Sequence, residues 1–377
     1  MTLLTKLLSR LPAVGRKPSA STAGELETRI GKTIQDALAA AGLLERAPPA
    51  APSPPAMRVP PLVAPRTPKE RADSPEHAPA TGVPLPGSFV EDSFTNPAGT
   101  RRYKLYVPAS YTGESTVRYP LVLMLHGCTQ SPDDFATGTR MNALADELGF
   151  LVAYPAQSPN ANGSRCWNWF RPGDQARDAG EPALLAGLTR HLVEQHAVDP
   201  QRVYVAGLSA GAAMAVILGA TYPELFAAVG AHSGLPYGAA RDVPSAFAAM
   251  AGKQAPVTPS AHRSSEARAG VTPLIVFHGD ADRTVAPANG EALVSQAMGA
   301  ASALLPESQV TEKSQAGRSY TRSVYTTALG EPLVEYWQIH GAGHAWSGGA
   351  STGSYTDPQG PDASGEMMRF FLQARNA

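Results

Sequence analysis

Cysteine is nearly missing from this chain: Cys128 and Cys166 are the only two in 377 residues. That excludes a fold stapled by a disulfide framework and makes free thiols the default expectation for both. A surplus of positive charge is missing too. With 31 Lys and Arg against 32 Asp and Glu, nothing is left over to neutralise the phosphates of a nucleic acid. No apolar run approaches the roughly 18–20 residues of a membrane span. The opening MTLLTKLLSRLP is interrupted by Lys6 and Arg10, so it lacks the apolar centre of a secretory signal and a cytoplasmic location is expected. There is no internal repeat. The histidines are not grouped at metal-ligand spacings, so neither a metal nor a cofactor is expected.

What is present divides sharply by composition. Residues 1–47 hold two helical patterns. Leu3, Leu4, Leu7, Leu8 and Leu11 share one face until Pro12, and Thr22 with Glu25 forms a capping box ahead of Leu26, Ile30, Ile34 and Leu38. Residues 48–86 contain thirteen prolines and read as an extended linker. Residues 87–377 are the remaining domain. Hydrophobic residues make up 43% of the chain, enough for a large core there.

In that domain short apolar runs alternate with helical stretches. RRYKLYVP (101–108) has mixed faces. LVLMLHG (121–127), FLVAYPA (150–156), VYVAGLS (203–209), AAVGAHSG (227–234), PLIVFHGD (273–280) and VEYWQIHG (334–341) are apolar at consecutive positions. Such strands are buried on both sides, as in a parallel sheet. Helices are expected over 133–148, 178–196, 210–221, 289–301 and 362–375. The pattern is an α/β open sheet with helices on both faces, whose ligands bind just beyond the carboxyl ends of the strands.

The sharpest motif lies there. Gly207-Leu208-Ser209-Ala210-Gly211 joins a strand to a helix. A glycine-rich turn accounts for the glycines alone, but a serine between them at this junction fits a nucleophile elbow, whose strained backbone requires small neighbours. A serine hydroxyl needs a base, and the base an orienting acid, in the chain order Ser, acid, His. FHGDADRTV (277–285) offers Asp282, with Asp280 as the alternative, and GAGHAWSGG (341–349) offers His344. The oxyanion would be met by the backbone amides of Ala210 and of Cys128, in the HGCTQ loop (126–130). Trp167, Trp169 and Trp346 are candidates for substrate binding, with core packing the ordinary explanation. His126 and His278, each before a glycine at a strand end, read as structural; His232 reads as a residue that could line the cleft. A bridge between Cys128 and Cys166 is the alternative to free thiols, and would pin the CWNWF segment (166–170) across the cleft.

Together SFTNPAGTRRYKLYVP, LHGCTQ, CWNWF, VDPQRVYVAGLSAGAAM, HGDADRTV and GAGHAWSGG resemble the polyhydroxybutyrate (PHB) depolymerase family of esterases over about residues 88–375. This family sits near the feruloyl and acetyl-xylan esterases in the α/β-hydrolase superfamily. The resemblance implies an α/β-hydrolase fold and serine esterase chemistry. It places Ser209, Asp282 and His344 in the triad positions and Cys128 at the oxyanion side. Secreted members carry a signal peptide and a polymer-binding domain after the catalytic one, whereas here the extra sequence comes first. The expected relationship is therefore to the intracellular branch, acting on poly(3-hydroxybutyrate) or its oligomers. The N-terminal extension would then contact a storage-granule surface. The alternatives are a feruloyl or acetyl-xylan type carbohydrate esterase, a peptidase and, in another class, a non-catalytic granule-associated scaffold.

Overall fold

The computed structural model describes residues 87–114, 116–253, 272–300, 305–327, 330 and 332–376. The helices expected in 1–47 and the linker expected in 48–86 lie outside the described residues. Among the described residues no helix is long and apolar enough to cross a membrane.

The strands, in chain order, are β1 (Ser88–Asn96), β2 (Gly99–Val107), β3 (Tyr119–Leu125), β4 (Leu151–Pro155), β5 (Val198–Leu208), β6 (Ala228–His232), β7 (Leu274–Gly279), β8 (Leu305–Lys313), β9 (Ser319–Thr326), β10 (Pro332–Ile339), β11 (Trp346–Ser347) and β12 (Thr356–Asp357). The first ten form one sheet, ordered β1-β2-β4-β3-β5-β6-β7-β10-β9-β8, and β11 pairs with β12. The six central strands from β4 to β10 are mutually parallel. The flanks, β1-β2 against β4 and β8-β9 against β10, are antiparallel. Each of these central strands coincides with an apolar run expected to be a strand.

Burial on both sides explains why those strands read as unbroken apolar runs. Leu121, Leu123 and Leu125 enter one core, and Val122 and Met124 the other. The first core is closed by α3 (Gly180–Gln195), α4 (Ala210–Thr221), α5 (Val243–Met250) and α6 (Ala288–Ala300), through residues such as Leu185, Met214, Ala246 and Leu293. The second is closed by α1 (Pro132–Thr139), α2 (Met141–Leu148) and α7 (Ala363–Phe371), through Phe135, Met141, Met367 and Phe371. This is the α/β-hydrolase arrangement, with helices on both faces of a mostly parallel sheet.

Two expectations are corrected. The single helix expected over 133–148 is two, because Arg140 takes a left-handed φ of 55° and ends α1 before α2 begins. Only glycine adopts that conformation at no cost, so an arginine there leaves no trace in a helical pattern. The expectation of free thiols also fails: Cys128 and Cys166 are joined in a disulfide across 38 residues. The expectation rested on cysteine scarcity and an assumed reducing compartment. A pair brought together by the fold of two loops needs no framework around it.

Candidate active site

The site begins at the abrupt end of β5. Ser209 has φ 59° and ψ −118°, a strained conformation for a non-glycine residue, and caps helix α4, buried from Ala210 to Gly219. The residues two places to either side must be glycine. A Cβ on Gly207 would lie 2.4 Å from the carbonyl carbon of Gly211, and one on Gly211 would lie 2.0 Å from the Leu125 carbonyl oxygen. The elbow is therefore packed directly onto the end of β3, bringing Ser209 beside the loop that follows that strand.

Asp282 sits in the turn after β7, and His344 in the loop after β10. Nδ1 of His344 lies 2.7 Å from Oδ2 of Asp282, and both side chains are buried. The other carboxylate oxygen, Oδ1, accepts the Thr284 and Val285 amides at 2.8 and 2.9 Å. Burial pushes the Asp282 carboxyl up. The charge and hydrogen bond of His344, then His278 and the Val285 amide, more than reverse this, leaving its pKa below the ordinary value. The acid is thus ionised and fixed in orientation. Asp280, the alternative, faces away: it pairs with His340 at 3.0 Å and accepts the Gly341 amide at 2.6 Å. No hydrogen bond joins the Ser209 hydroxyl to His344, whose partner is Asp282. Such catalytic contacts commonly tighten only around a substrate.

The Cys128 amide lies in a braced loop. The flanking amides are committed, Gly127 to Gln130 Oε1 at 2.8 Å and Thr129 to the Ser164 carbonyl at 2.8 Å. The Ala210 amide opens α4, so no earlier helical carbonyl can accept it. The Cys128–Cys166 disulfide ties this loop to the CWNWF segment.

The tryptophans serve the same bracing. Trp167 is 0% exposed and donates Nε1–H to the His126 carbonyl at 3.0 Å. Trp346 is 1% exposed and donates to Ser364 Oγ at 3.1 Å. Trp169, 6% exposed, packs edge-on against Phe170. In this structure the indoles are set into the core beneath the site loops.

Several residues of the site were not singled out by motif. Glu181, in the first turn of α3, accepts Asn168 N–H at 2.8 Å and a hydrogen bond from Gln157 Nε2. Gln157 also donates Nε2–H to the Cys166 carbonyl and its amide to His126 Nε2. Arg101 Nη2 lies 3.9 Å from Glu181. Burial first, then Asp174, pushes the Glu181 carboxyl up against the opposing pull of Gln157, Asn168 and Arg101. From the other side, Gln130 Nε2 donates to the Ser354 carbonyl and to Asp134. That links the loop carrying Cys128 to Ser354, just before β12, the strand paired with β11. Most of these contacts join separate segments of the chain, and their only local signal is a charged or amide side chain beside an apolar run. His232 is 0% exposed and so does not line a cleft. His126 and His278 are buried and hydrogen-bonded to Gly127 and Val285 carbonyls, the structural role expected of them.

Comparison with known proteins adds the following. The family described as Esterase PHB depolymerase matches residues 101–308, more than half of the chain. Poly(3-hydroxyalkanoate) depolymerase C of Paucimonas lemoignei is 36% identical over 273 residues, which cover 70% of this chain and 63% of that protein. The chain thus spans less than two thirds of that relative's length. Acetylxylan esterase A of Aspergillus oryzae is 28% identical over 276 residues, covering 69% of this chain and 87% of that one. Among solved structures, an acetyl xylan esterase from Aspergillus awamori superposes with a TM-score of 0.58 at 21% identity, over 76% of this chain and 100% of that chain. That likeness is one of fold.

Proposed function

The chain belongs to the PHB depolymerase esterase family, and from that premise we propose that it hydrolyses the ester bonds of poly(3-hydroxybutyrate) or its oligomers through Ser209, His344 and Asp282. The observation that carries the reading is the buried 2.7 Å pair of Asp282 and His344, on loops flanking a serine held on a strained elbow.

Because Nδ1 of His344 faces Asp282, Nε2 is the nitrogen left to act on the serine. It takes the Ser209 proton as Oγ attacks the ester carbonyl. Asp282, ionised and fixed by two amides, keeps the imidazole in that tautomer and stabilises the imidazolium. The Cys128 and Ala210 amides receive the developing oxyanion. Collapse of the tetrahedral intermediate breaks the ester C–O bond, and His344 returns its proton to the leaving alkoxide. Water, deprotonated by His344, then attacks the acyl-enzyme and releases the hydroxy acid.

A second reading, hydrolysis of acetyl groups on xylan, is favoured by the acetylxylan esterase relative that the chain covers to 87%. One experiment tests both. Purified protein is offered hydroxybutyrate oligomers, polymer granules, acetylated xylan and methyl ferulate side by side, with Ser209→Ala as control. Turnover of oligomers and polymer in preference to the carbohydrate esters is expected. Loss of all turnover and of fluorophosphonate labelling is expected in Ser209→Ala. Labelling at another serine, with activity surviving in Ser209→Ala, would falsify the nucleophile. A preference for acetylated xylan would select the second reading.

A further inference from the structure

We propose that His232 is a positioning residue for ester hydrolysis: its imidazole, through an acceptor nitrogen, fixes the loop carrying His344 relative to the Ser209 elbow. The proposal rests on the reading of the site given above.

His232 is the last residue of β6 and lies in register with Leu208, the residue before the elbow serine. Its carbonyl accepts the Ser209 amide at 2.9 Å. The next amide, of Ser233, donates to the Phe277 carbonyl on β7 at 2.8 Å, the strand that leads to Asp282. Its ring nitrogen Nε2 accepts the Ser347 amide at 3.0 Å, three residues beyond His344. This short segment therefore touches all three of the chain segments that bear the proposed triad, and the ring makes the link to the base loop.

The ring is held for that purpose. It is 0% exposed and stacked between Phe277, at 5.7 Å and 12°, and Trp346, at 5.2 Å and 26°. An Nε2 that accepts a hydrogen bond places the hydrogen on Nδ1, which faces Ser233 Oγ at 3.2 Å. Burial first, then the nearby His278 and His344, hold its pKa down at about 3, against the upward pull of Asp282. The ring therefore stays neutral and keeps its acceptor at working pH. Without that acceptor the Ser347 amide would be buried and unpaired, and the loop would relax toward another partner.

The test separates the acceptor from the packing. His232→Gln and His232→Met are similar in shape, but only glutamine offers an acceptor. His232→Phe keeps the stacked ring and loses the acceptor. On a soluble short-chain ester, Met and Phe should lower kcat on the order of 10–100-fold with KM changed less than about twofold. Gln should stay within about fivefold of the wild type. The rate of fluorophosphonate labelling at Ser209 should follow kcat. Equal kcat for Gln and Met, or Phe as the most active variant, overturns the proposal in favour of mere packing. If the variants do not fold, the wild-type protein decides: nitrogen-15 NMR should find the His232 hydrogen on Nδ1, and a hydrogen on Nε2 overturns the proposal. Ser209→Ala, run alongside, separates the two failures. If it stays active, the reading of the site fails. If it is inactive while Gln and Met are alike, the positioning role alone falls.

Discussion

Two loops of this molecule make two Asp–His pairs, and the pairs differ in almost everything but chemistry. The turn after β7 supplies Asp280 and Asp282, and the segment after β10 supplies His340 and His344. Asp280 and His340 meet at 3.0 Å with a third of each side chain exposed. Asp282 and His344 meet at 2.7 Å with 0 and 6% of theirs exposed. The second nitrogen of His340 is taken by Thr321 Oγ1 at 2.9 Å, so the outer pair has no basic nitrogen to offer a nucleophile. It borders an open polar cavity of about 300 Å³, lined by Gly317, Arg318, Ser319, His340 and Gln359, in which none of the proposed catalytic residues takes part. The inner pair is the one whose histidine loop is tied through His232 to the elbow. Burial and bracing, rather than residue type, separate the proposed catalytic dyad from an exposed Asp–His contact.

The largest effect expected from breaking the inner pair is on turnover. Asp282→Asn leaves an amide where the imidazole needs an anion and presents the wrong partner to Nδ1. A loss on the order of 10³–10⁴ in kcat is expected, about 4–5.5 kcal/mol of transition-state stabilisation. Steady-state kinetics on a soluble ester, with circular dichroism to confirm the fold, measure it. A loss under tenfold in a folded variant removes the acid from the mechanism.

Next is the brace on the other wall of the site. The Cys128–Cys166 bridge closes a loop across 38 residues, and its removal should cost about 2–4 kcal/mol of stability in the chain-entropy account. Cys166→Ser should lower the denaturant midpoint. It should also lower kcat more than it raises KM, because the Cys128 amide loses its fixed position. Protein denatured without reductant should show no titratable thiol. Two titratable thiols under those conditions mean that the bridge does not form.

Next comes the cost of keeping buried imidazoles neutral. Burial above all holds His126 at about 4 and His232 at about 3, against an ordinary value of 6.5. Below pH 6.5 the unfolded chain therefore binds protons that the folded chain does not. The stability these residues confer is complete above that pH and declines as pH falls toward their folded values. Each contributes a slope of about 1.4 kcal/mol per pH unit. Urea midpoints should fall steadily below neutrality, and less steeply in His232→Gln. Midpoints that stay level as pH falls from neutrality to about 5 contradict the assigned burial.

The same contrast explains what could be read from sequence. The six parallel strands were legible because burial on both faces leaves consecutive apolar residues. The elbow was legible because glycine is required at 207 and 211 by contacts under 2.5 Å. The choice of Asp282 followed from chain order and the spacing of His278, Gly279, Asp282 and Val285, and that of His344 from chain order and its glycine-rich loop. The antiparallel flanks were not all legible: β1 is mostly exposed and polar on both faces, so its sequence SFVEDSFTN carries no apolar run. The split at Arg140 and the partners of Glu181 and Gln157 also escaped, and the Cys128–Cys166 bridge stood only as the alternative to free thiols. Their causes are a left-handed backbone at an ordinary residue and contacts between segments far apart in the chain. Packing against apolar neighbours writes a periodic pattern, whereas a buried hydrogen bond needs only one polar atom in the right place.

The smallest effect belongs to the outer pair, and it is the sharpest check on the comparison. Asp280→Asn keeps an acceptor for the Gly341 amide, now 2.6 Å from Oδ1, and puts an amide NH2 in place of the oxygen that faces His340. A contact this exposed contributes at most about 1 kcal/mol. Turnover should therefore stay within about threefold of the wild type, and the denaturant midpoint should barely move. The variant shares its turn and its histidine loop with Asp282→Asn, so general damage to these loops would appear in both. If Asp280→Asn loses more activity than Asp282→Asn while both remain folded, the outer pair orients the base. Burial would then have failed as the criterion separating the two. If only Asp282→Asn is crippled, the difference between the variants isolates what a buried, doubly hydrogen-bonded carboxylate contributes beyond an identical group two residues away.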